Sequence, residues 1–406
     1  MWRRIEDIGR IGALPEGGIS RFAFSNEDKT AANLIKTWME EAGLSVWTDT
    51  VGNLYGRREG ELDYGTVLTG SHIDSVPNGG RFDGVAGVIA ALECMQVLHE
   101  NNVKTKHPLE MVVFVNEEGS RFPGGLMGSQ AVAGLLSPEF VSKIKDNEGV
   151  SLVDAMKEYG ADPDRIKEAH RPGDFQAFFE LHIEQASLLE DRDIPVGIVS
   201  GIAGPYQMKV KISGRSGHAG ATPMELRKDP MIGASLIIQE VERLAIEFGT
   251  TTRGTVGYIK ARPGGHNVIP SEVEFTIDIR DIDPTKREKV VKQIKDYIKD
   301  TCLKRGLEHE VFKTQDMPPV PVIPEVVDLL EKTAKECNIP TITMPSGAAH
   351  DAMVMASLCP IGMIFVRSRD GLSHCPEEFT SKEDLKLGTT LLLHSLVKTA
   401  NGKPRL

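Results

Sequence analysis

The 406-residue chain has no run approaching the ~18 consecutive apolar residues that a membrane-spanning helix needs. Its opening segment, Met1-Trp2-Arg3-Arg4-Ile5-Glu6-Asp7, carries charge without the apolar core of a secretory signal, so a cytosolic (cytoplasmic) protein is expected. Cysteine is sparse. Cys94, Cys302, Cys337, Cys359 and Cys375 are odd in number and form no C-x-x-C pair, which argues against a disulfide framework and a thiolate zinc site. Basic residues are outnumbered, 47 against 58 acidic, and do not cluster; the net charge of -11 opposes partnership with nucleic acid or an anionic membrane. Pro263-Gly264-Gly265 lacks the Lys and Ser/Thr that would follow in a phosphate loop. There is no internal repeat and no low-complexity tract.

The length admits two domains, and a hydrophobic content of 40% is ordinary for a globular chain with a sizeable core. The apolar run Thr66-Val67-Leu68-Thr69 reads as a buried strand with His72 and Asp74 at its carboxyl end. A Gly- and Pro-rich loop follows, and the spacing from Gly84 to Asn102 predicts a helix with Asp83 at its amino terminus. With the strand Leu109 to Val115 this makes a β-α-β unit with parallel pairing. Upstream, Asn26 to Gly43 reads as an amphipathic helix and Leu44 to Arg58 as a hairpin. Phe175 to His182 is a further strand, and Glu184-Gln185 opens a short helix.

From Pro205 the pattern changes. Tyr206 to Ser213, Thr251 to Ala261, Glu272 to Asp281 and Glu308 to Thr314 read as strands, and Asp229 to Phe248 and Pro284 to about Arg305 as helices. The order β-α-β-β-α-β is that of a ferredoxin-like sandwich, an insert over 206–316 in a first domain of 1–205 and 317–406. After the stiff Pro318-Pro319-Val320-Pro321 connection, α/β alternation resumes with a strand Ile361 to Val366 and a last helix from Lys382 to Thr399.

The strand ends of the first domain collect His72, Asp83, Glu117, Glu118, His182 and His374, three imidazoles and three carboxylates. Two metal ions sharing one carboxylate would use five of them and leave one acid to take a proton from water, the count that metal-assisted hydrolysis requires. Adjacent residues leaving a strand point apart, so one of Glu117 and Glu118 binds and the other moves protons. Spacing does not say which.

The blocks Gly70-Ser71-His72-Ile73-Asp74-Ser75, Gly79 to Gly84, Asn116 to Phe122, Glu180 to Gln185 and Ser213 to Pro223 resemble the M20 metallopeptidase superfamily. More narrowly they resemble its amidase branch of N-carbamoyl-L-amino acid hydrolases, allantoate amidohydrolases and β-ureidopropionases. The resemblance implies that Asp83 bridges two divalent ions (Zn2+ or Mn2+, with Co2+ or Ni2+ also compatible). It implies that Glu118 and His374 complete one site, that His72 and His182 complete the other, and that Glu117 is the base. Peptidases of the superfamily usually carry an acid at the position of His182; that departure, with Gln185 following, favours the carbamoylase branch. The resemblance further implies substrate contacts from Gln185, His218, Asn267 and Arg280, with Ala348 beside His350 at the pocket.

The fold expected is therefore α/β: a mixed-sheet catalytic domain with helices on both faces, plus an inserted ferredoxin-like α+β lid and dimerisation domain. The activity expected is hydrolysis of the carbamoyl group of N-carbamoyl-L-amino acids, with allantoate amidohydrolase as the alternative. A β-ureidopropionase, a dipeptidase and a non-catalytic binding protein rank lower. The partners expected are a small carbamoyl or ureido carboxylate and a second copy of the chain, joined through the insert.

Overall fold

The computed structural model describes residues 1–402. The chain divides into two compact units, one built from Met1–Ser200, Val322–Met344 and the chain from His350 onward, the other from Gly201–Pro321 and Pro345–Ala349. No helix among the described residues is long and apolar enough to cross a membrane.

In the first unit four strands run parallel. Thr66–His72 lies between Leu109–Phe114 and Phe175–Ile183, and the latter pairs on its other side with Ile361–Val366. Every residue of these four strands is buried, as a sheet covered on both faces requires. Antiparallel strands flank them: Leu54–Arg58 on Leu109–Phe114, Ser45–Thr48 beyond it, and Val196–Ile202 on Ile361–Val366. The Leu44 to Arg58 hairpin turns where expected because the Asp49 carboxylate accepts from the amides of Val51, Gly52 and Asn53. The helix Val85–Glu100 packs on the parallel strands and on the last helix, Lys382–Asn401. Gly87 permits that approach, since a Cβ there would lie 2.3 Å from the carbonyl oxygen of Leu181.

The second unit holds a five-stranded antiparallel sheet. Gly204–Ser213 lies between Glu272–Asp281 and Glu308–Asp316, and the outer edge of Glu272–Asp281 carries two short strands, Arg253–Thr255 and Ile259–Arg262. Its helices Pro230–Phe248 and Pro284–Arg305 both begin at an Asp whose carboxylate accepts backbone N–H bonds, followed by Pro at the first position. Strand Glu272–Asp281 alternates buried with half-buried residues, and Phe275, Ile277 and Ile279 meet Ile237, Leu244, Ile294 and Ile298 in one core.

Two expectations need correction. The single strand Thr251 to Ala261 is two strands, because Val256-Gly257-Tyr258 leaves the ladder at a glycine that has no side chain to pack. The Pro-rich return segment is not only a linker, for Val320 and Pro321 pair with Ile202 and Gly201. Asp83 stands at the amino terminus of its helix as expected, one residue before the Gly84 cap, and its carboxylate turns to side chains elsewhere.

The amino-terminal segment is tied to the His72 strand by a buried guanidinium. Arg21 donates through Nε to the carbonyl of Ile73 (2.7 Å) and through Nη1 to those of Ile8 (3.0 Å) and Ile11 (2.9 Å). Nearby, Asp28 reaches back to accept from the Phe24 amide at 2.9 Å, at the start of the helix Asn26–Glu41. Burial, reinforced by the charge of Asp74, pushes the Asp28 carboxyl up to about 7. A folded-state value above the unfolded one means stability that is full below about pH 4 and declines as the pH rises through 7. The Asp28→Asn variant lacks that titration. Urea unfolding is expected to show its stability relative to the parent rising by about 2 to 3 kcal/mol between pH 5 and pH 8.

Candidate metal centre

The site assembles at the carboxyl ends of the four parallel strands, where an open α/β sheet presents its loops. His72 ends its strand, His182 stands one residue before the end of its own, Glu117 and Glu118 follow Leu109–Phe114, and His374 lies in the loop after Ile361–Val366. Backbone groups set the orientation. Asn116 adopts a φ of 53°, which turns the chain so that the amides of Glu117 and Glu118 donate to the two oxygens of Asp74, each at 3.1 Å. Gly84, at a φ of 63°, donates its amide to His182 Nε2 at 3.2 Å.

Asp83 is the junction. Its Oδ1 lies 3.2 Å from His182 Nε2 and 3.5 Å from His72 Nε2, whereas its Oδ2 lies 3.3 Å from His374 Nε2. Glu118 Oε1 stands 3.7 Å from His374 Nε2, and Glu117 Oε2 3.6 Å from His72 Nε2. Donor atoms thus gather in three overlapping sets: His72, Asp83 and His182; Asp83, Glu118 and His374; and His72, Glu117 and Glu118. The first two share Asp83. The third includes both glutamates, so geometry alone does not divide base from ligand.

The donor set fits divalent cations. His72 Nδ1 faces the carbonyl of Asp74 at 3.1 Å and His182 Nδ1 that of Ile183 at 3.0 Å, so each ring donates from Nδ1 and turns an Nε2 lone pair toward a carboxylate oxygen. Two acceptors facing one another require a proton or a cation between them. Glu118 Oε1 is likewise buried with no hydrogen-bond partner among the described residues. The charges point the same way. Burial opposes a charge on His72, but Glu117, Asp74 and Asp83 raise its pKa well above the usual imidazole range. Burial, together with Asp83, pushes Glu118 up to about 7, and burial with the neighbouring acids holds Glu117 well above its ordinary value. Asp83 is drawn well below the carboxylate range, against its burial, by His182, His374 and His72.

Gln185 sits inside this shell. Its Nε2 donates to Asp83 Oδ2 at 2.7 Å, while its Oε1 is buried without a partner among the described residues. His350 is buried beside His182, ring centroids 4.5 Å apart, and burial with that neighbour's charge lowers its pKa well below the usual range. Asp74, Ser373 and Glu378 were absent from the sequence-derived set. The spacing His72-Ile73-Asp74 carried a signal for the first; nothing local marks the other two.

The remaining candidates lie in the second unit. His218 and Asn267 are exposed neighbours, because Gly217–His218 pairs with Val268–Ile269 and the Ala219 amide donates to the Asn267 carbonyl at 2.9 Å. Arg280 grips Asp278 with Nε at 2.9 Å and Nη2 at 3.1 Å, and gives Nη1 to the Gly347 carbonyl at 2.8 Å, next to Ala348. Three of its five N–H groups are engaged, leaving two for an anion.

Residues 68–398 match peptidase family M20/M25/M40. The chain is 46% identical over 405 residues to the N-carbamoyl-L-amino acid amidohydrolase of Geobacillus stearothermophilus, covering 99% of this chain and 98% of that one. It is 38% identical over 397 residues to the allantoate amidohydrolase of Bacillus subtilis (strain 168), covering 98% and 96%. Among solved structures, a hydantoinase/carbamoylase family amidase from Burkholderia multivorans superposes with a TM-score of 0.91 at 34% identity, over 99% of this chain and 97% of that one.

Removing one imidazole from the His72–Asp83–His182 set takes away a nitrogen donor and leaves buried carboxylate charge unbalanced. His72→Ala and His182→Ala are each expected to weaken divalent-metal binding by more than the roughly 10- to 100-fold that loss of an outer partner costs. Elemental analysis after dialysis against a graded chelator measures it.

Proposed function

Because the chain belongs to peptidase family M20/M25/M40, and within it to the amidase branch that includes the carbamoylases, we propose that it hydrolyses the carbamoyl group of N-carbamoyl-L-amino acids. The observation that carries this reading is Asp83, with one carboxylate oxygen toward each of two donor sets and a further acid beside them. His72 and His182 would hold one divalent ion with Asp83, and Glu118 and His374 the other; Zn2+, Mn2+, Co2+ and Ni2+ all suit this mixture of nitrogen and oxygen. Bound there, such ions supply Lewis acidity toward the carbamoyl oxygen and lower the pKa of water.

The chain's own part is proton transfer and orientation. Glu117 takes a proton from the attacking water as its oxygen adds to the carbamoyl carbon, then returns it to the leaving amino nitrogen. Breaking that C–N bond frees the amino acid, and the carbamate left behind falls to carbon dioxide and ammonia. The raised pKa of Glu117, set by burial, suits an acid that must give its proton back. The free N–H groups of Arg280, with Asn267, are assigned to the substrate carboxylate, and His218 to the oxyanion that develops on the carbamoyl oxygen. A cytosolic setting suits five unpaired thiols. We assign homodimer contacts to the second unit, whose outer strand Glu308–Asp316 pairs on one side with Gly204–Ser213.

Three outcomes test this. Glu117→Gln is expected to keep its metal and lose roughly 10²- to 10⁴-fold in kcat; metal loss from this variant, with retention in Glu118→Gln, reverses the two roles. Arg280→Ala is expected to lose roughly 30- to 1000-fold in kcat/KM on an N-carbamoyl-L-amino acid, and much less on its carboxamide. On the manganese-loaded protein, a panel of N-carbamoyl amino acids, allantoate and dipeptides is expected to favour the first class. Faster turnover of allantoate than of every N-carbamoyl amino acid would assign the chain the activity named for its Bacillus subtilis relative.

A further inference from the structure

The loop that carries Asp83 and the loop that carries His374 meet on one side chain that belongs to none of the donor sets. Glu378 is 3% exposed. Its Oε1 accepts from the amides of Phe82 (2.8 Å) and Asp83 (3.0 Å), and its Oε2 lies 2.8 Å from Ser373 Oγ. The same hydroxyl lies 2.9 Å from Asp83 Oδ2, so one Ser373 proton is shared between the two carboxylates. The carboxylate also fills the space beside Gly80, where a Cβ would lie 2.1 Å from Glu378 Oε1. The flanking rings extend the clasp, with Phe82 and Phe379 packed edge to face at 5.8 Å.

The other donors are held by the sheet. His72 and His182 lie within strands, and Glu117 and Glu118 are fixed through their amides by Asp74. His374 has no such support: it is half exposed, in a loop, at a φ of 59°. We propose that Glu378, acting through Ser373 and the Phe82 and Asp83 amides, is the positioning residue of the Asp83–Glu118–His374 donor set. It pre-organises that set for an ion, and the His72–Asp83–His182 set depends on it far less. Without it, two buried amides lose their acceptor, and the His374 loop must be ordered at the expense of ion binding. The proposal rests on the two-ion reading above.

The test strips metal from the full-length parent and from Glu378→Leu, Glu378→Gln and Ser373→Ala. Each is titrated with Mn2+ by calorimetry and with Co2+ by visible absorption. The parent is expected to take two ions. Glu378→Leu is expected to bind one with parental affinity and the other roughly 10- to 100-fold more weakly, with altered absorption from only one cobalt. Glu378→Gln, which keeps an oxygen for the two amides, is expected to recover most of the loss, and Ser373→Ala to fall between. Two ions at parental affinity in Glu378→Leu overturn the proposal, as does equal weakening of both. If Glu378→Leu does not fold, parental affinities in Ser373→Ala overturn it instead. A parent that takes a single ion removes the two-ion reading itself, a result distinct from any difference among the variants.

Discussion

A carboxylate whose two oxygens look at different partners constrains a protein more than a carboxylate in a simple pair, and Asp83 is such a group. Serving His182 and His72 on one side and His374 on the other requires three strand ends and two loops to converge within a few ångströms. Parallel pairing supplies that convergence, because neighbouring parallel strands finish at the same edge. The all-buried strands and the close seat of the helix at Gly87 are what a fixed edge of this kind requires. The positive φ of Gly84 then lets the chain leave Asp83 and enter the helix while its amide still meets His182.

Around that junction the electrostatics is deliberately unbalanced. Asp74, Asp83, Glu117 and Glu118 bring four carboxylates into a volume with three imidazoles, and burial makes each charge expensive. Asp74 accepts from two backbone amides and lies in the field of the Arg21 guanidinium, whose side chain donates to the carbonyls of Ile73, Ile8 and Ile11. Such a cluster is stable when cations complete it. The second unit is organised differently. On the outer face of its sheet charges pair across neighbouring strands, as Lys209 with Glu274 and Lys211 with Glu272, and contribute little to stability singly.

Much of this was legible in the sequence, for reasons that differ by element. Buried strands such as Ile361–Val366 are continuous apolar runs, and the alternation in Glu272–Asp281 matches its half-buried pleat. The donor residues could be listed because each stands at the end of a strand or in the loop beyond it. What remained hidden is what depends on partners distant in the chain. Val196–Ile202 contains two glycines and owes its strand conformation to Ile361–Val366. Val256-Gly257-Tyr258 alternates like a strand yet leaves the ladder. Gln185 rests its amide on Asp83, 102 residues away, and Glu378 gave no local sign because its partners lie at Phe82 and Asp83. The choice between Glu117 and Glu118 lay beyond spacing, and the two donor sets that contain them show why: both glutamates reach an imidazole.

The sharing of one sheet edge by distant segments also governs how the chain is made. Ser373 and Asp83 touch across 290 residues of sequence. A ribosome adding roughly 5 to 20 residues per second takes roughly 15 to 60 s to span that interval. During that time Gly201–Pro321 emerges as an almost complete unit with its own core, and its hairpin-like neighbours close early. The strand Phe175–Ile183 meanwhile has no Ile361–Val366 to pair with, and its bare edge stands beside an unfinished ring of acids and imidazoles. The nascent protein therefore has a long window in which an unpaired apolar strand is open to intermolecular pairing, and in which four of the five proposed ion ligands are already present. The late pairing of Phe175–Ile183 and the early gathering of the donor residues are thus properties of this topology, set by the order in which its strands leave the ribosome.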